Sequence, residues 1–137
     1  MQVLIIEDEP LIRLLATDIL EAEGWTTTGV STAAAALAAV RTRRFDAAII
    51  DLGLPDAPGA DLVRQLLAAR HGLGMVISTG RQADDPLVAA ARRAGGDRIA
   101  AVLRKPWEDS ALVASVRRAA GRHRSAAQGL TLLPCLV

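Results

Sequence analysis

Two adjacent carboxylates, Glu7-Asp8, follow the first apolar run of the chain, and a third, Asp51, ends another. A hydroxyl pair, Ser78-Thr79, closes a fourth run, and Lys105-Pro106 follows a fifth. Three carboxylates held within a few ångströms repel one another, and burial raises their pKa values unless a cation compensates. A hard divalent ion compensates best: Mg²⁺ accepts a few carboxylates, keeps waters, and often completes its shell with a phosphate oxygen. A lysine in the same cluster adds a fixed positive charge that suits a phosphoryl group. Together these parts describe phosphoryl transfer, in which positioning and charge neutralisation do most of the work. An aspartate can be the nucleophile in such a reaction, giving an acyl phosphate.

Those residues are separated by long stretches of chain, so the elements between them must bring them together. Val3 to Ile6 is a continuous apolar run, read as a strand covered on both faces. Pro10 opens a helix, with Leu11, Leu14, Leu15 and Ile19 assigned to its inner face and Gly24 ending it. Trp25 to Val30, rich in threonine, reads as the second strand. Ser31 or Thr32 caps a helix to about Thr42, with Leu37 and Val40 inward. Ala47 to Ile50 is the third strand and ends at Asp51. Turn chemistry fills Gly53 to Gly59, and a third helix carries Leu62, Val63, Leu66 and Leu67 on one side. Met75 to Ser78 is the fourth strand, closed by Thr79-Gly80. Pro86 to Ala94 is a helix stopped by Gly95-Gly96, and Ala100 to Leu103 is the fifth strand. Glu108 to about Arg122 forms the last helix, with Leu112, Val113 and Val116 as its stripe.

Strands alternating with helices predict an α/β fold with a parallel sheet covered on both faces. In such a sheet the carboxyl ends of the strands share one edge, and ligands bind there. Every strand except the second ends in one of the polar residues above, so the pattern collects three carboxylates, a hydroxyl and an ammonium at one place. Each of these residues has an ordinary use when taken singly. Glu7-Asp8 could favour a helix N-terminus, Asp51 could bond its own turn, and Lys105 could be a solvated charge. The convergence is what argues for chemistry.

The ordered set resembles a known family. Glu7-Asp8, Asp51-Leu52-Gly53-Leu54-Pro55 with Gly59, Thr79-Gly80 and Lys105-Pro106 are similar to the motifs of the receiver domain of two-component response regulators. The likeness spans residues 2 to about 122 and gives the domain as 1–124, with a C-terminal tail over 125–137. It implies a flavodoxin-like, doubly wound sheet of five parallel strands in the order 2-1-3-4-5, flanked by five helices. It implies that Asp51 is the phosphoacceptor. Asp8 and Asp51 would bind Mg²⁺ directly, Gly53 would give its carbonyl, and Glu7 would act mainly through a metal-bound water. Thr79 would bond a phosphate oxygen, with Ser78 offering a second hydroxyl one residue away. Lys105 would pair with the phosphate, or with Asp51 before phosphorylation, and Pro106 often follows a cis bond in this family. The partners implied are a histidine kinase or histidine phosphotransfer protein and a downstream protein effector. Catalysis would be limited to the chain's own phosphorylation and dephosphorylation, so it is not an enzyme in the usual sense.

Two departures from the family bear on output. Val102 stands where many receivers carry an aromatic switch residue, and the stretch from Gly95 to Lys105 is a few residues longer than is usual in the family. With a valine there, the response is expected in the loop after Thr79 and in the following helix rather than on the fifth strand.

Composition narrows the alternatives. The 137 residues suffice for one core, and a formal net charge of +1 gives no global field to recruit nucleic acid or acidic membranes. Tyrosine is absent, which disfavours a base-stacking platform. No run approaches the ~20 apolar residues of a membrane span, and no charged leader precedes Val3. The single cysteine, Cys135, fits a reducing cytoplasm. His71 and His123 read as surface residues, and the Arg41-Arg43-Arg44, Arg92-Arg93 and Arg117-Arg118 groups as solvated helix ends. A haloacid-dehalogenase-type phosphatase needs a second aspartate two residues after the nucleophile, where this chain has Gly53. A pseudo-receiver serving as a constitutive binding module is the remaining alternative, and the complete acidic set disfavours it. The short tail after Arg124 has no room for a helix-turn-helix, so a stand-alone switch without its own effector domain is expected. Truncation after Arg124 is accordingly predicted to leave the fold intact. Thermal melting of the shortened chain should match the full one, and a large loss in the monomeric truncated form would contradict this.

Overall fold

The computed structural model describes residues 1–121. The chain runs β1 (Gln2–Ile6), α1 (Pro10–Glu21), β2 (Thr26–Val30), α2 (Ala33–Thr42), β3 (Ala47–Asp51), α3 (Gly59–Ala69), β4 (Gly74–Thr79), α4 (Pro86–Gly95) and β5 (Ile99–Arg104). A last helix, α5, covers residues 109–121 of the described part. The five strands form one parallel sheet in the order β2-β1-β3-β4-β5, as the family resemblance implied. The tail, with Cys135 and His123, lies outside the described residues.

Alternation along the strands divides the apolar residues into two cores. Leu4, Ile6, Ala48, Ile50, Met75 and Ile77 face one cluster with residues of α2, α3 and α4. Val3, Ile5, Ala47, Ile49 and Val76 face the other, with residues of α1 and α5. Neighbours in sequence point to opposite faces of a strand, so a run such as Val3-Leu4-Ile5-Ile6 is apolar throughout because both faces are covered. Each fully buried Leu or Ile side chain here is worth about 1.5–3 kcal/mol against exposure.

Helix α1 departs from the sequence reading. Its buried residues are Ala16, Ile19 and Leu20, whereas Leu11, Leu14 and Leu15 are 81%, 55% and 51% exposed. Ile12 is half-buried, and 12, 16, 19 and 20 form one arc at helical spacing. The leucines occupy the arc beside it, so the larger side chains misled the assignment of the inner face.

Caps fix where the other helices begin. The Thr32 hydroxyl accepts the Ala35 N–H at 3.1 Å, so Thr32 rather than Ser31 caps α2. The Asp56 carboxylate, from the loop after β3, accepts the Ala33 and Ala34 N–H groups at 2.8 and 3.1 Å. These two donors hold its carboxyl below the usual range. The long segment before β5 is taken up in two ways. A 3-10 turn spans Gly96–Arg98, and the β4–β5 register steps from Met75↔Ile99 to Val76↔Ala101, leaving Ala100 as a bulge.

Helix α5 crosses β4 very closely at Gly74. A Cβ there would sit 1.9 Å from the Ala119 carbonyl oxygen and 2.6 Å from its carbon, both backbone atoms that cannot swing aside. Gly74→Ala should therefore destabilise the protein by about 3 kcal/mol, the upper end for overpacking a well-filled core. Gly80→Ala, with open space around the added carbon, serves as the comparison. Equal urea midpoints for the two variants would contradict the close crossing.

Candidate functional site

The β1–β3 register sets Ile6 beside Ile50, so one step further Glu7 and Asp51 emerge side by side at the carboxyl edge. Glu7 and Asp51 are buried, at 3% and 6% exposure, while Asp8 is the most open of the three acids. Each offers a carboxylate oxygen, and the three oxygens all lie within 4.8 Å of one another. Lys105 arrives from the far side of the sheet. Its ammonium is 2.6 Å from Glu7 Oε1 and 3.4 Å from Asp51 Oδ1. The lysine was expected on Asp51; its shorter contact is with Glu7, although both carboxylates are in reach. The two partners share one positive charge, and the more deeply placed carboxylate takes the direct hydrogen bond.

The protonation states follow from this crowding. Burial pushes Glu7 up to about 7, and a hydrogen bond shared with Asp51 adds to the rise, while Lys105 and the Glu9 N–H pull against it. For Asp51, burial also opposes the charge, but hydrogen bonds from Glu7, the Gly53 N–H and Asp8, with the Lys105 charge, bring its carboxyl below the usual range. Burial works against the Lys105 charge too, yet the Glu7 hydrogen bond and the neighbouring carboxylates raise its pKa. Of the two buried acids, Asp51 thus holds the negative charge near neutral pH and Glu7 holds the proton more readily.

The supporting residues come from every neighbouring element. The Gly53 N–H donates to Asp51 Oδ1 at 2.9 Å and orients it, and a Cβ at Gly53 would lie 3.4 Å from that same oxygen. Thr79 is buried, and its hydroxyl accepts the Arg81 N–H at 3.1 Å. The Ser78 hydroxyl is engaged otherwise, accepting the Trp107 indole N–H at 3.0 Å. The Lys105-Pro106 bond is cis. Val102 is half-buried and packs on the α2–α3–α4 core. Sequence reasoning did not single out Trp107, Asp56 or Arg13. Arg13 donates from its guanidinium to the Glu7 carbonyl at 2.7 Å, holding the start of the loop that carries the acids. The two lie six positions apart in the chain, and no motif reports such a side-chain reach.

Oxygen donors alone, three of them carboxylates close enough to share one ion, fit a hard divalent cation such as Mg²⁺. Beside the acids opens an apolar cavity of about 310 Å³, lined by Ile12, Leu15, Lys105, Pro106 and Trp107. Of the exposed leucines of α1, Leu15 forms part of this apolar rim. Among the described residues, no helix is long and apolar enough to cross a membrane.

Comparison with known proteins agrees with this geometry. The family described as response regulator receiver domain matches residues 3–117. The chain is 36% identical over 121 residues to the KDP operon transcriptional regulatory protein KdpE of Escherichia coli, covering 88% of this chain and 52% of that one. A probable transcriptional regulatory protein of Mycobacterium tuberculosis, TcrX, is 30% identical over 115 residues, covering 84% of this chain and 47% of that one. The chain thus spans about half the length of the curated relatives it matches. Among solved structures, a CheY-like receiver domain protein from Methanospirillum hungatei superposes with a TM-score of 0.82 at 26% identity, covering 91% of this chain and 97% of that one. On the matched family, the relatives and the strand order, this chain belongs to the response regulator receiver domains of two-component systems.

Proposed function

We propose that this chain is a Mg²⁺-dependent phosphorylation switch that accepts a phosphoryl group on Asp51 from a phosphohistidine of a histidine kinase or phosphotransfer protein. The observation that carries the reading is geometric: three carboxylates whose oxygens lie within 4.8 Å of one another, with the Lys105 ammonium 3.4 Å from Asp51 Oδ1. In the transfer, an Asp51 carboxylate oxygen forms the new bond to phosphorus as the bond from phosphorus to the donor's imidazole nitrogen breaks. The imidazole leaves with that electron pair, and Asp51 becomes an acyl phosphate. Lys105 faces the charge on the transferred group, and the Gly53 N–H fixes the direction of the attacking oxygen. Glu7, Asp8 and Asp51 would hold Mg²⁺, together with the Gly53 carbonyl. When bound, the ion neutralises charge on the acids and the phosphoryl oxygens.

A protein donor must cover the edge of the sheet to reach Asp51. Leu15, exposed on the rim of the apolar cavity that Lys105 also lines, gives it an apolar surface to settle on. Thr79 then supplies the route outward, its hydroxyl drawn from the Arg81 N–H toward the phosphoryl group, so that the loop to Asp85 and α4 respond. Output is a change in affinity for a protein partner, and the only reaction catalysed is the chain's own phosphorylation and dephosphorylation.

Acetyl phosphate with Mg²⁺ should add one phosphoryl group, seen by intact mass, and Asp51→Asn or EDTA should abolish it. Equal labelling of Asp51→Asn would remove the assignment. Asp8→Asn should weaken Mg²⁺ binding by at least about tenfold, the lower end of what is seen even for groups that only support a metal ligand.

Protonation makes a separate, metal-free test. Glu7 is raised from 4.5 to about 7, so the folded state binds the proton more tightly than the unfolded one. Its contribution to stability is complete below pH 4.5 and lost as pH rises through about 7. Without divalent ions, the wild type should therefore lose stability from pH 4.5 to 7 relative to Glu7→Gln. Parallel stability curves for the two proteins would refute the protonation of Glu7.

A further inference from the structure

Lys105 carries its charge on a flexible four-carbon stem, so the place of the ammonium depends on how firmly its backbone is held. Upstream, the Lys105 N–H donates to the Thr79 carbonyl at 2.7 Å, the last tie between β5 and β4. Downstream, the chain turns away from the sheet at Pro106 and enters α5 only where the Leu112 N–H meets the Glu108 carbonyl. Between these points stands Trp107. Its indole N–H donates to the Ser78 hydroxyl at 3.0 Å, and its ring packs on the core shared with α1 and α5. Ser78 is 2% exposed and is the direct sheet partner of Asp51. The loop is therefore fastened on both sides of Lys105 to consecutive residues of β4, Ser78 and Thr79, and the second fastening ends beside Asp51.

We infer that the Trp107–Ser78 hydrogen bond is a latch that positions the Lys105 ammonium over Asp51 and Glu7. Trp107 touches none of the reacting atoms, so it is a positioning residue that acts through Lys105. The same contact separates two hydroxyls that the sequence leaves equivalent. Ser78 is committed to the indole, on the face of the sheet where Val76 also points, and Thr79 remains for the phosphoryl group. An indole is suited to this role because it offers a single donor on a broad apolar body. A phenylalanine would fill the space and leave the loop without its second tie.

For its rate readout the inference rests on Asp51 being the phosphoacceptor, and a second readout is independent of that reading. Ser78→Ala and Trp107→Phe each remove one half of the bond and keep most of the packing. Hydrogen exchange followed by amide NMR on the metal-free variants should show the Lys105 N–H exchanging roughly tenfold faster, as expected for the loss of one supporting hydrogen bond, with the β1 and β3 amides unchanged. Labelling by acetyl phosphate and Mg²⁺ should slow by roughly five- to tenfold in either variant. In a Lys105→Ala background, the same substitutions should produce no further slowing. Unchanged exchange at Lys105 would overturn the latch, as would a slowing that persists without Lys105. If the wild type takes up no phosphoryl group, the Asp51 reading fails, and the exchange comparison still decides whether the latch holds the lysine.

Discussion

Three carboxylates gathered around one ammonium form the constraint on which this structure depends. Like charges at such separations cannot all ionise without a compensating cation, and the site meets this unequally. Glu7 rises toward neutrality, Asp51 stays charged, and Lys105 stands between them, contributed from 98 residues further along the chain. Everything that sets the distances belongs to the sheet. β1 and β3 are adjacent, so Glu7 and Asp51 emerge together, and β4 carries β5 into place so that Lys105 can reach both. The covered faces, apolar on both sides, keep the strands rigid enough to hold repelling groups at fixed positions.

Much of this was legible in the sequence because the responsible signals are local and periodic. Continuous apolar runs marked the strands, Pro10 and Pro86 marked helix starts, and polar residues at strand ends marked the site. The strand order itself came from family resemblance, since alternation alone cannot say which strands are neighbours. The failures have a common cause in three-dimensional placement. Leu11, Leu14 and Leu15 look like a core stripe to any count of hydrophobicity, yet the arc that meets the sheet is the one carrying Ala16, Ile19 and Leu20. A pattern of apolar residues states that a face exists. Which face meets the sheet depends on the angle at which the helix leaves its loop.

The side chains that organise the site from a distance were the least visible. Asp56 reads as a turn residue, and its bonds to the Ala33 and Ala34 N–H groups tie the loop after β3 to the first turn of α2, 23 and 22 positions back along the chain. Arg13 lies near the start of α1 and Trp107 in a loop, each serving through one hydrogen bond to a partner that spacing does not predict. Lys105 was found because its residue type suggests a role with phosphate, but its nearer attachment to Glu7 could not be read from type. Identity reports what a group can do, and only the fold decides which of two carboxylates it does it with.

The bulge at Ala100 carries a consequence for anyone recombining this domain with a relative. Side chains on a strand alternate between faces, so one additional residue reverses the parity of everything before it relative to everything after. Ala100 and Ala101 both lean on the α1–α5 core, and Val102 then returns to the opposite one. A crossover placed before Gly96 must bring the added residue with it, or the donor strand will enter out of phase. Val102 and Leu103 would exchange sides, and Lys105 would leave the strand turned away from the acids it serves. In this part of the chain, segment length is a form of specificity as strict as residue type, and homology-guided splicing that matches only the motifs would lose it.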